Sequence, residues 1–330
     1  MRPFRRALRW ILLGLAGLAA MAFAASLLLV FWGDPEFARA PDFSPEALAA
    51  SGLDFSQNYP ARAARFPMAD GLELAAQIHG SDPATTILLV HGVLSSSYPL
   101  NSAAGLLHQA TGARVVAIDL RGHGASGGRP GDIDYVGQYE EDLAEIVRRL
   151  RTEAPGGRLM LAGHSMGGGI ALRYAERRDF PPVDGYLLFA PYLGWEAPTT
   201  PQASREPEGA EFLKIHGPRL VGLALHDAVG LEVFNGLRVM FFNLPPEMPL
   251  RSYSYRATVS QAPADFRQAL AEVDAPLLVL VGDQDESFLA ERYPEAIGPH
   301  GQVLILPGAN HNTVLRTPES LAAVASWLGS

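Results

Sequence analysis

The sequence predicts an α/β fold in which a mostly parallel central sheet is covered by helices on both faces. Short apolar runs alternate with segments of helical periodicity, which is typical of parallel strands joined by helical crossovers. One run ends in a Gly-x-Ser-x-Gly motif, at residues 163–167, directly before a helical pattern. The predicted strands are residues 87–90, 115–118, 159–162, 186–189, 277–281 and 303–306.

The first 33 residues predict a membrane anchor. Arginines at positions 2, 5, 6 and 9 precede an uncharged run from Trp10 to Gly33, and about 20 apolar residues are enough to cross a bilayer. Because such arginines stay on the cytoplasmic side, we expect a single-pass protein with its catalytic body on the periplasmic or extracytoplasmic side. The alternative is a signal peptide cleaved after Ala22-Phe23-Ala24, but the apolar run continues past that site.

The rest of the chain divides by composition. Residues 34–64 are rich in Pro, Ala, Ser and acidic residues and predict a tether, and residues 66–74 predict a hairpin with Asp70-Gly71 at its turn. A helix is predicted over residues 136–150, and a last one from Thr317-Pro318. The alternation of strands and helices stops between residues 194 and 273. We therefore expect a core domain at 65–193 and 274–330, interrupted by an inserted helical cap at 194–273.

Composition excludes several functions. The chain has no cysteine, which removes disulfides, thiolate metal sites and cysteine nucleophiles. Its formal charge is −9, and −13 without the four N-terminal arginines, so we expect no nucleic-acid partner. It contains no His-Glu-x-x-His and no Walker-type loop, and residues 167–169 match a dinucleotide fingerprint poorly. We expect neither a metal nor a cofactor.

Ser165 is the predicted nucleophile, because a sharp strand-to-helix turn presents its hydroxyl at the carboxyl edge of the sheet. It needs a base. His300 precedes the strand at 302–306 and His311 follows it, and this five-residue strand spans roughly 17 Å, so only one of them can reach that edge. His311 is therefore the predicted base, and His300 a surface residue. His164, inside the motif, is expected to be structural.

The third residue of a triad orients the imidazole and stabilises its charged form. Asp285 follows the strand at 277–281 and lies far enough into the loop to face the next loop. Asp283 and Glu286 are the alternatives, with Asp283 better suited to shaping the turn. For the oxyanion hole we expect the backbone amides of Val93 and Met166, with Leu94 as an alternative to Val93.

The chain resembles the α/β-hydrolase superfamily, in the branch of monoacylglycerol lipases, lysophospholipases and serine-aminopeptidase-like hydrolases. The resemblance rests on Leu-Leu-Val-His-Gly at 88–92, Asp-Leu-Arg-Gly-His-Gly at 119–124, Gly-His-Ser-Met-Gly at 163–167, Gly-Asp-Gln-Asp at 282–285 and Gly-Ala-Asn-His at 308–311. It implies an α/β-hydrolase fold and the triad order Ser165, Asp285, His311. It also implies a structural role for the loop of Asp119 and His123. Leu94 departs from the glycine usual in monoacylglycerol lipases.

These observations predict a membrane-anchored serine hydrolase that cleaves carboxylic esters through an acyl-enzyme. The apolar cap segments at 220–225 and 239–244 suit a lipid-like acyl substrate, or else simply pack the cap onto the body. Two alternatives remain. An aminopeptidase or amidase would need cap acids such as Glu206, Glu208 and Glu211 to bind a free amine. A catalytically silent interaction module is the other, since fold alone does not establish function.

Overall fold

The computed structural model describes residues 2–38, 41–53, 55, 57–202 and 211–329. The strands within these ranges are β1 (Arg62–Pro67), β2 (Glu73–His79), β3 (Thr85–Val90), β4 (Arg114–Ile118), β5 (Arg158–His164), β6 (Gly185–Phe189), β7 (Leu213–Ile215), β8 (Arg238–Phe242), β9 (Ser252–Ser254), β10 (Leu277–Gly282) and β11 (Gln302–Leu306). The helices are α1 (Arg2–Val30), α2 (Pro45–Ala50), α3 (Asn101–Thr111), α4 (Gln138–Glu153), α5 (Met166–Ala175), α6 (Gly217–Asp227), α7 (Tyr255–Val259), α8 (Phe266–Ala271), α9 (Tyr293–Ile297) and α10 (Pro318–Gly329).

The main sheet has the strand order β1-β2-β4-β3-β5-β6-β10-β11. The predicted hairpin of β1 and β2 is antiparallel, and the six strands from β4 to β11 run parallel. These six contain the six apolar runs identified in the sequence. Helix α3 connects β3 to β4 on one side of it, and α4 connects β4 to β5 on the other side. Because both crossovers are right-handed but run in opposite directions along the sheet, α3 and α4 lie on opposite faces. The carboxyl ends of the parallel strands therefore meet at one edge.

The inserted segment differs from the predicted helical cap. It contains a three-stranded antiparallel sheet of β7, β8 and β9 in addition to α6, α7 and α8. These strands are three to five residues long, which is too short for an alternating pattern to distinguish them from a loop or helix. Leu223 of α6 and Val239 of β8 are buried in a small cluster with Val30 and Tyr255. Part of both apolar cap segments thus packs the cap internally and onto α1.

The predicted tether is attached to the body over part of its length. Its helix α2 is followed by Ser51, whose carbonyl accepts a 2.8 Å hydrogen bond from the Asn312 side chain. The Tyr59 amide donates to Asn101 Oδ1 at 2.7 Å. Strand β1 then begins at Arg62, before the predicted boundary at residue 65. These contacts fix the segment beside the loop that carries His311.

Helix α1 is exposed along most of its length. Its stretch Arg9–Val30 comprises 22 residues; the most apolar 18 of them have a mean hydropathy of 2.3, and 6% of that part is buried in the protein. Within the described residues it is the one helix long and apolar enough to cross a membrane. Within the part of the chain that the structure describes, its last two turns pack against α6 of the cap, and Val30 also lies in the small cluster with Val239 and Tyr255.

Candidate active site

Ser165 occupies a strained turn between β5 and α5. Its φ of 53° and ψ of −118° lie in a region that residues with a side chain rarely adopt. The neighbouring glycines make this turn possible. A Cβ on Gly163 would lie 2.3 Å from the Gly167 backbone, and one on Gly167 would lie 2.4 Å from the Val90 carbonyl oxygen. The predicted elbow therefore forms where the sequence motif places it, at the carboxyl edge of the sheet.

Asp285 and His311 meet in the loops that follow β10 and β11. The Nδ1 atom of His311 lies 2.9 Å from Asp285 Oδ2, and both side chains are buried. The other carboxylate oxygen accepts 2.8 Å hydrogen bonds from the amides of Ser287 and Phe288. Burial by itself would raise the pKa of Asp285. The hydrogen bond and charge interaction with His311 and the two backbone amides outweigh burial, so the pKa lies below its ordinary value. An ionised carboxylate thus fixes a proton on Nδ1 of His311.

The alternative acids have other partners. Asp283 is exposed and accepts a 2.7 Å hydrogen bond from the Gly308 amide, which links the loops after β10 and β11. Glu286 accepts from the His311 backbone amide at 3.1 Å rather than from the ring. The other candidate base, His300, is exposed in the turn before β11, at the opposite end of that strand. The geometry thus brings together Asp285 and His311 and leaves these three residues apart from the imidazole.

Two further contacts hold His311 beside the elbow. His164 precedes Ser165, and its Nε2 donates to the His311 carbonyl at 2.9 Å, with 4.8 Å between the two ring centroids. Phe288 packs edge-on against the His311 ring and stacks on Tyr192, whose amide donates to the Ser165 carbonyl at 2.9 Å. Burial lowers the pKa of His164 to about 3, so its ring is neutral.

The reacting atoms themselves are not yet engaged. Within the described residues, neither Ser165 Oγ nor His311 Nε2 makes a hydrogen bond, and Nε2 is the ring nitrogen left to act as an acceptor. Catalytic hydrogen bonds are often long in a substrate-free site and shorten when substrate binds. The described contacts therefore orient the His311 ring and leave its Nε2 atom free to accept a proton.

The loop after β3, which carries the predicted oxyanion donor Val93, forms a tight turn. It turns between Gly92 and Ser95, with a 3.3 Å hydrogen bond from the Ser95 amide to the Gly92 carbonyl, and Leu94 in the left-handed region at φ 60°. The Leu94 amide donates to Tyr253 Oη at 2.8 Å. The amides of Val93 and Met166 make no hydrogen bond within the described chain. Both amides are therefore free to donate to a ligand.

A family model described as serine aminopeptidase, S33 matches residues 81–315. The chain belongs to this family of α/β-hydrolases. Monoacylglycerol lipase of Mycolicibacterium smegmatis is 33% identical over 76% of this chain and 90% of its own length. A putative non-heme chloroperoxidase of a Synechocystis species is 26% identical over 68% of this chain and 84% of its own length.

Solved structures show the same fold as this S33 hydrolase. A membrane phospholipase A, described as a bacterial virulence factor, aligns with a TM-score of 0.55 and 22% identity over 97% of this chain and 98% of its own. A monoacylglycerol lipase of Paleococcus ferrophilus aligns with a TM-score of 0.53 and 25% identity over 77% of this chain and 98% of its own. At these identities the likeness concerns the fold alone.

The site of this S33 hydrolase includes one residue that sequence analysis missed. Tyr253, on β9 of the cap, is fully buried and bonds to the Leu94 amide. His123 Nδ1 donates to the Arg121 carbonyl at 2.9 Å, so in the neutral ring Nε2 is the acceptor. The Tyr253 hydroxyl therefore donates to His123 Nε2, at 2.8 Å. The sequence showed only that Leu94 stands where monoacylglycerol lipases usually have a glycine. No pattern in the sequence indicated which residue holds it.

Proposed function

We propose that this S33 hydrolase cleaves carboxylic esters through an acyl-enzyme formed on Ser165. His311 accepts the Ser165 proton at Nε2 as the hydroxyl attacks the acyl carbonyl, and Asp285 stabilises the resulting imidazolium. The tetrahedral oxyanion binds the amides of Val93 and Met166. His311 then gives the proton to the leaving alcohol, and a water activated by the same nitrogen releases the acid. The 2.9 Å contact between His311 and Asp285, beside the elbow, carries this proposal.

The substrate we propose is a lipid-like acyl ester at a membrane. The M. smegmatis relative, at 33% identity, is a monoacylglycerol lipase, and α1 is long and apolar enough to anchor the chain in a bilayer. In this topology the arginines before Trp10 remain cytoplasmic and the catalytic body lies outside the cytoplasm. An ester held in or near the same bilayer then reaches the site by two-dimensional diffusion.

A fluorophosphonate probe tests the nucleophile, because it phosphonylates activated serines. We expect labelling of the full-length chain and none of the Ser165→Ala variant. Retention of label in that variant would refute the assignment, and absence of label in the parent chain would favour a silent interaction module. A panel of glycerol and nitrophenyl esters then tests the substrate class. Higher kcat/KM for medium or long acyl groups than for acetyl supports the lipid proposal, and the reverse order contradicts it.

Aminopeptidase or amidase activity is the second candidate, since the family description names a serine aminopeptidase. Such an enzyme needs an acidic group for the amine of its substrate. Of the cap acids suggested by the sequence, Glu206 and Glu208 lie outside the described residues. Glu211 is paired with Lys214 at 3.0 Å and accepts the Ala38 amide at 2.7 Å. Assays with aminoacyl amides decide the point, and turnover exceeding that of matched esters would replace the esterase proposal.

A further inference from the structure

Helix α6 has an inverted distribution of polar and apolar residues. Its polar side chains Arg219 and His226 are buried. Asp227, at its last position, is half-buried and accepts a 2.9 Å hydrogen bond from the Asn235 side chain. The outward face consists of apolar residues at helical spacing, and no charged residue interrupts it: Pro218, Val221, Ala224, Leu225, Ala228 and Val229. The exposed fractions are 50% for Val221, 54% for Leu225 and 77% for Val229. A helix on the surface of a water-soluble domain shows the opposite arrangement, whereas a helix in contact with lipid keeps its polar groups inside.

The contact of α6 with α1 has the features of helix packing in membranes. Gly222 lies against the Ser26 carbonyl and the side chains of Leu29 and Val30, and a Cβ there would be within 2.9–3.1 Å of all three. Ser26 Oγ and His226 Nε2 form a hydrogen bond of 2.8 Å across the two helices. Small residues that permit close approach, and polar side chains that bond across the interface, are both characteristic of helices that associate within lipid.

The position of this contact along α1 determines how deep α6 would lie in the bilayer. Trp10 and Trp32 flank the apolar span, as aromatic residues do at both surfaces of a bilayer. The 22 residues of Arg9–Val30 correspond to about 33 Å of helix, close to the ~30 Å thickness of the hydrocarbon core. Helix α6 contacts α1 from Phe23 to Val30. A span that places both tryptophans at the surfaces therefore also places α6 within the outer part of the bilayer.

Contacts at the two ends of residues 217–234 indicate where this segment would enter and leave the bilayer. At the start of α6, the Arg219 guanidinium donates to the Val30 carbonyl at 2.8 Å and to Asp34 at 2.6 Å, so it binds the end of α1 at the membrane surface. After α6 the chain turns back, and Phe234 packs edge-on against Phe31 with ring centroids 5.3 Å apart. Residues 217–234 therefore descend beside α1 and return to the same level.

We infer that residues 217–234 form a re-entrant segment whose apolar face contacts the acyl chains of the outer leaflet of a phospholipid bilayer. This inference rests on the proposed membrane anchoring by α1. The exposed carboxylate of Glu232 on the return segment limits the depth, because a charge at the bilayer centre is costly. The segment lies along the boundary of headgroups and acyl chains. The cap, and Tyr253 with it, is then fixed at the surface from which a lipid ester would enter.

Nitroxide accessibility in the full-length chain tests this inference, and the absence of cysteine permits clean single labels. Leu225→Cys and Val229→Cys report on the segment, Leu18→Cys on the anchor, and Ile305→Cys, an exposed apolar residue of β11, on the aqueous body. Each variant carries a spin label and is reconstituted in phosphatidylcholine–phosphatidylglycerol nanodiscs. Collision with oxygen, which concentrates in lipid, is compared with collision with a water-soluble nickel chelate.

We expect spin labels at positions 18, 225 and 229 to collide with oxygen at least severalfold more than with the chelate. The label at position 305 should collide more with the chelate. If 225 and 229 behave like 305 while 18 favours oxygen, the re-entrant segment is refuted and the anchor stands. If 18 also favours the chelate, the anchoring proposal and this inference both fail. Protection of 225 and 229 from both reagents would indicate a second protein copy instead of lipid. Fluorophosphonate labelling of the same variants tests the hydrolase assignment separately.

Discussion

Tyr253 of the cap holds Leu94 of the candidate oxyanion loop in a left-handed conformation through a 2.8 Å hydrogen bond to its amide. A leucine at φ 60° costs energy that a glycine would not. The tyrosine hydroxyl satisfies the Leu94 amide and leaves the Val93 amide free. The inserted cap thus contacts the candidate oxyanion loop directly, through Tyr253.

Removal of this hydroxyl should impair catalysis more than substrate binding. In Tyr253→Phe the buried Leu94 amide loses its partner at a cost of about 1–3 kcal/mol, and the loop can relax away from the geometry that binds an oxyanion. We expect kcat on a soluble ester to fall about tenfold with little change in KM. The measurement is steady-state kinetics of the two proteins side by side.

A double-mutant cycle with Leu94→Gly separates positioning from general stability. Glycine adopts the left-handed turn without strain, so the loss of Tyr253 Oη should reduce kcat less in that background. Equal losses in both backgrounds would show that Tyr253 acts only through its bond to His123. The thermal midpoints of all four proteins provide the comparison for stability.

Substitution of Ser165 should separate activity from strain. Ser165→Ala and Ser165→Gly both lack the nucleophile, and we expect each to lose at least about 10⁴-fold in kcat. Only glycine relieves the φ of 53°, so Ser165→Gly should be about 1 kcal/mol more stable than Ser165→Ala. Chemical denaturation in detergent measures the difference. A less stable glycine variant would mean that the elbow is not a site of stored strain.

Conservative substitutions of the three loop acids should distinguish the triad member. Asp285→Asn removes the acceptor that fixes the proton on His311 Nδ1, and we expect kcat to fall about 10⁴-fold, as for loss of the correct tautomer. Asp283→Asn and Glu286→Gln alter backbone-bonded carboxylates only and serve as matched controls, with losses of about tenfold or less. A greater loss in either control than in Asp285→Asn would reassign the acid.

Three buried histidines should make the protein unstable in acid. Burial lowers the pKa of His91 to about 4, and of His123 and His164 to about 3. The unfolded chain, with the ordinary value of 6.5, binds more protons below that pH. The free energy of unfolding is therefore fully retained above pH 6.5 and falls as the pH decreases from 6.5 towards 4. Measuring the free energy of unfolding between pH 6.5 and pH 4 tests whether it falls with decreasing pH.

His91→Gln supplies the matched variant for the pH series. An amide oxygen can still accept the Leu120 N–H that His91 Nε2 accepts at 3.0 Å. In the variant, the free energy of unfolding should depend less steeply on pH. The slope should be smaller by the contribution of one proton, ~1.4 kcal/mol per pH unit. An identical slope in His91→Gln and the parent chain would assign the acid sensitivity to other groups.

Local sequence patterns determined the six parallel strands of the main sheet, the elbow, the hairpin and the apolar helix α1, but not the short strands of the cap. Each of these depends on neighbours within a few residues: buried strands require continuous apolar runs, a sharp turn requires Gly163 and Gly167, and a membrane span requires uninterrupted apolar length. The order of strands also brought the loops of Asp285 and His311 to the same edge as Ser165. The family match confirmed the fold class that these patterns predicted.

Only the tertiary structure decided which loop acid bonds the imidazole, which cap residue holds Leu94 and which face of α6 is exposed. Asp283, Asp285 and Glu286 lie within four positions of one another, and a rotation of the loop by one residue would exchange their roles. Tyr253 meets Leu94 across 159 positions of sequence, and α6 meets α1 across about 200. Contacts over such separations arise from packing of the whole chain, and no local pattern encodes them.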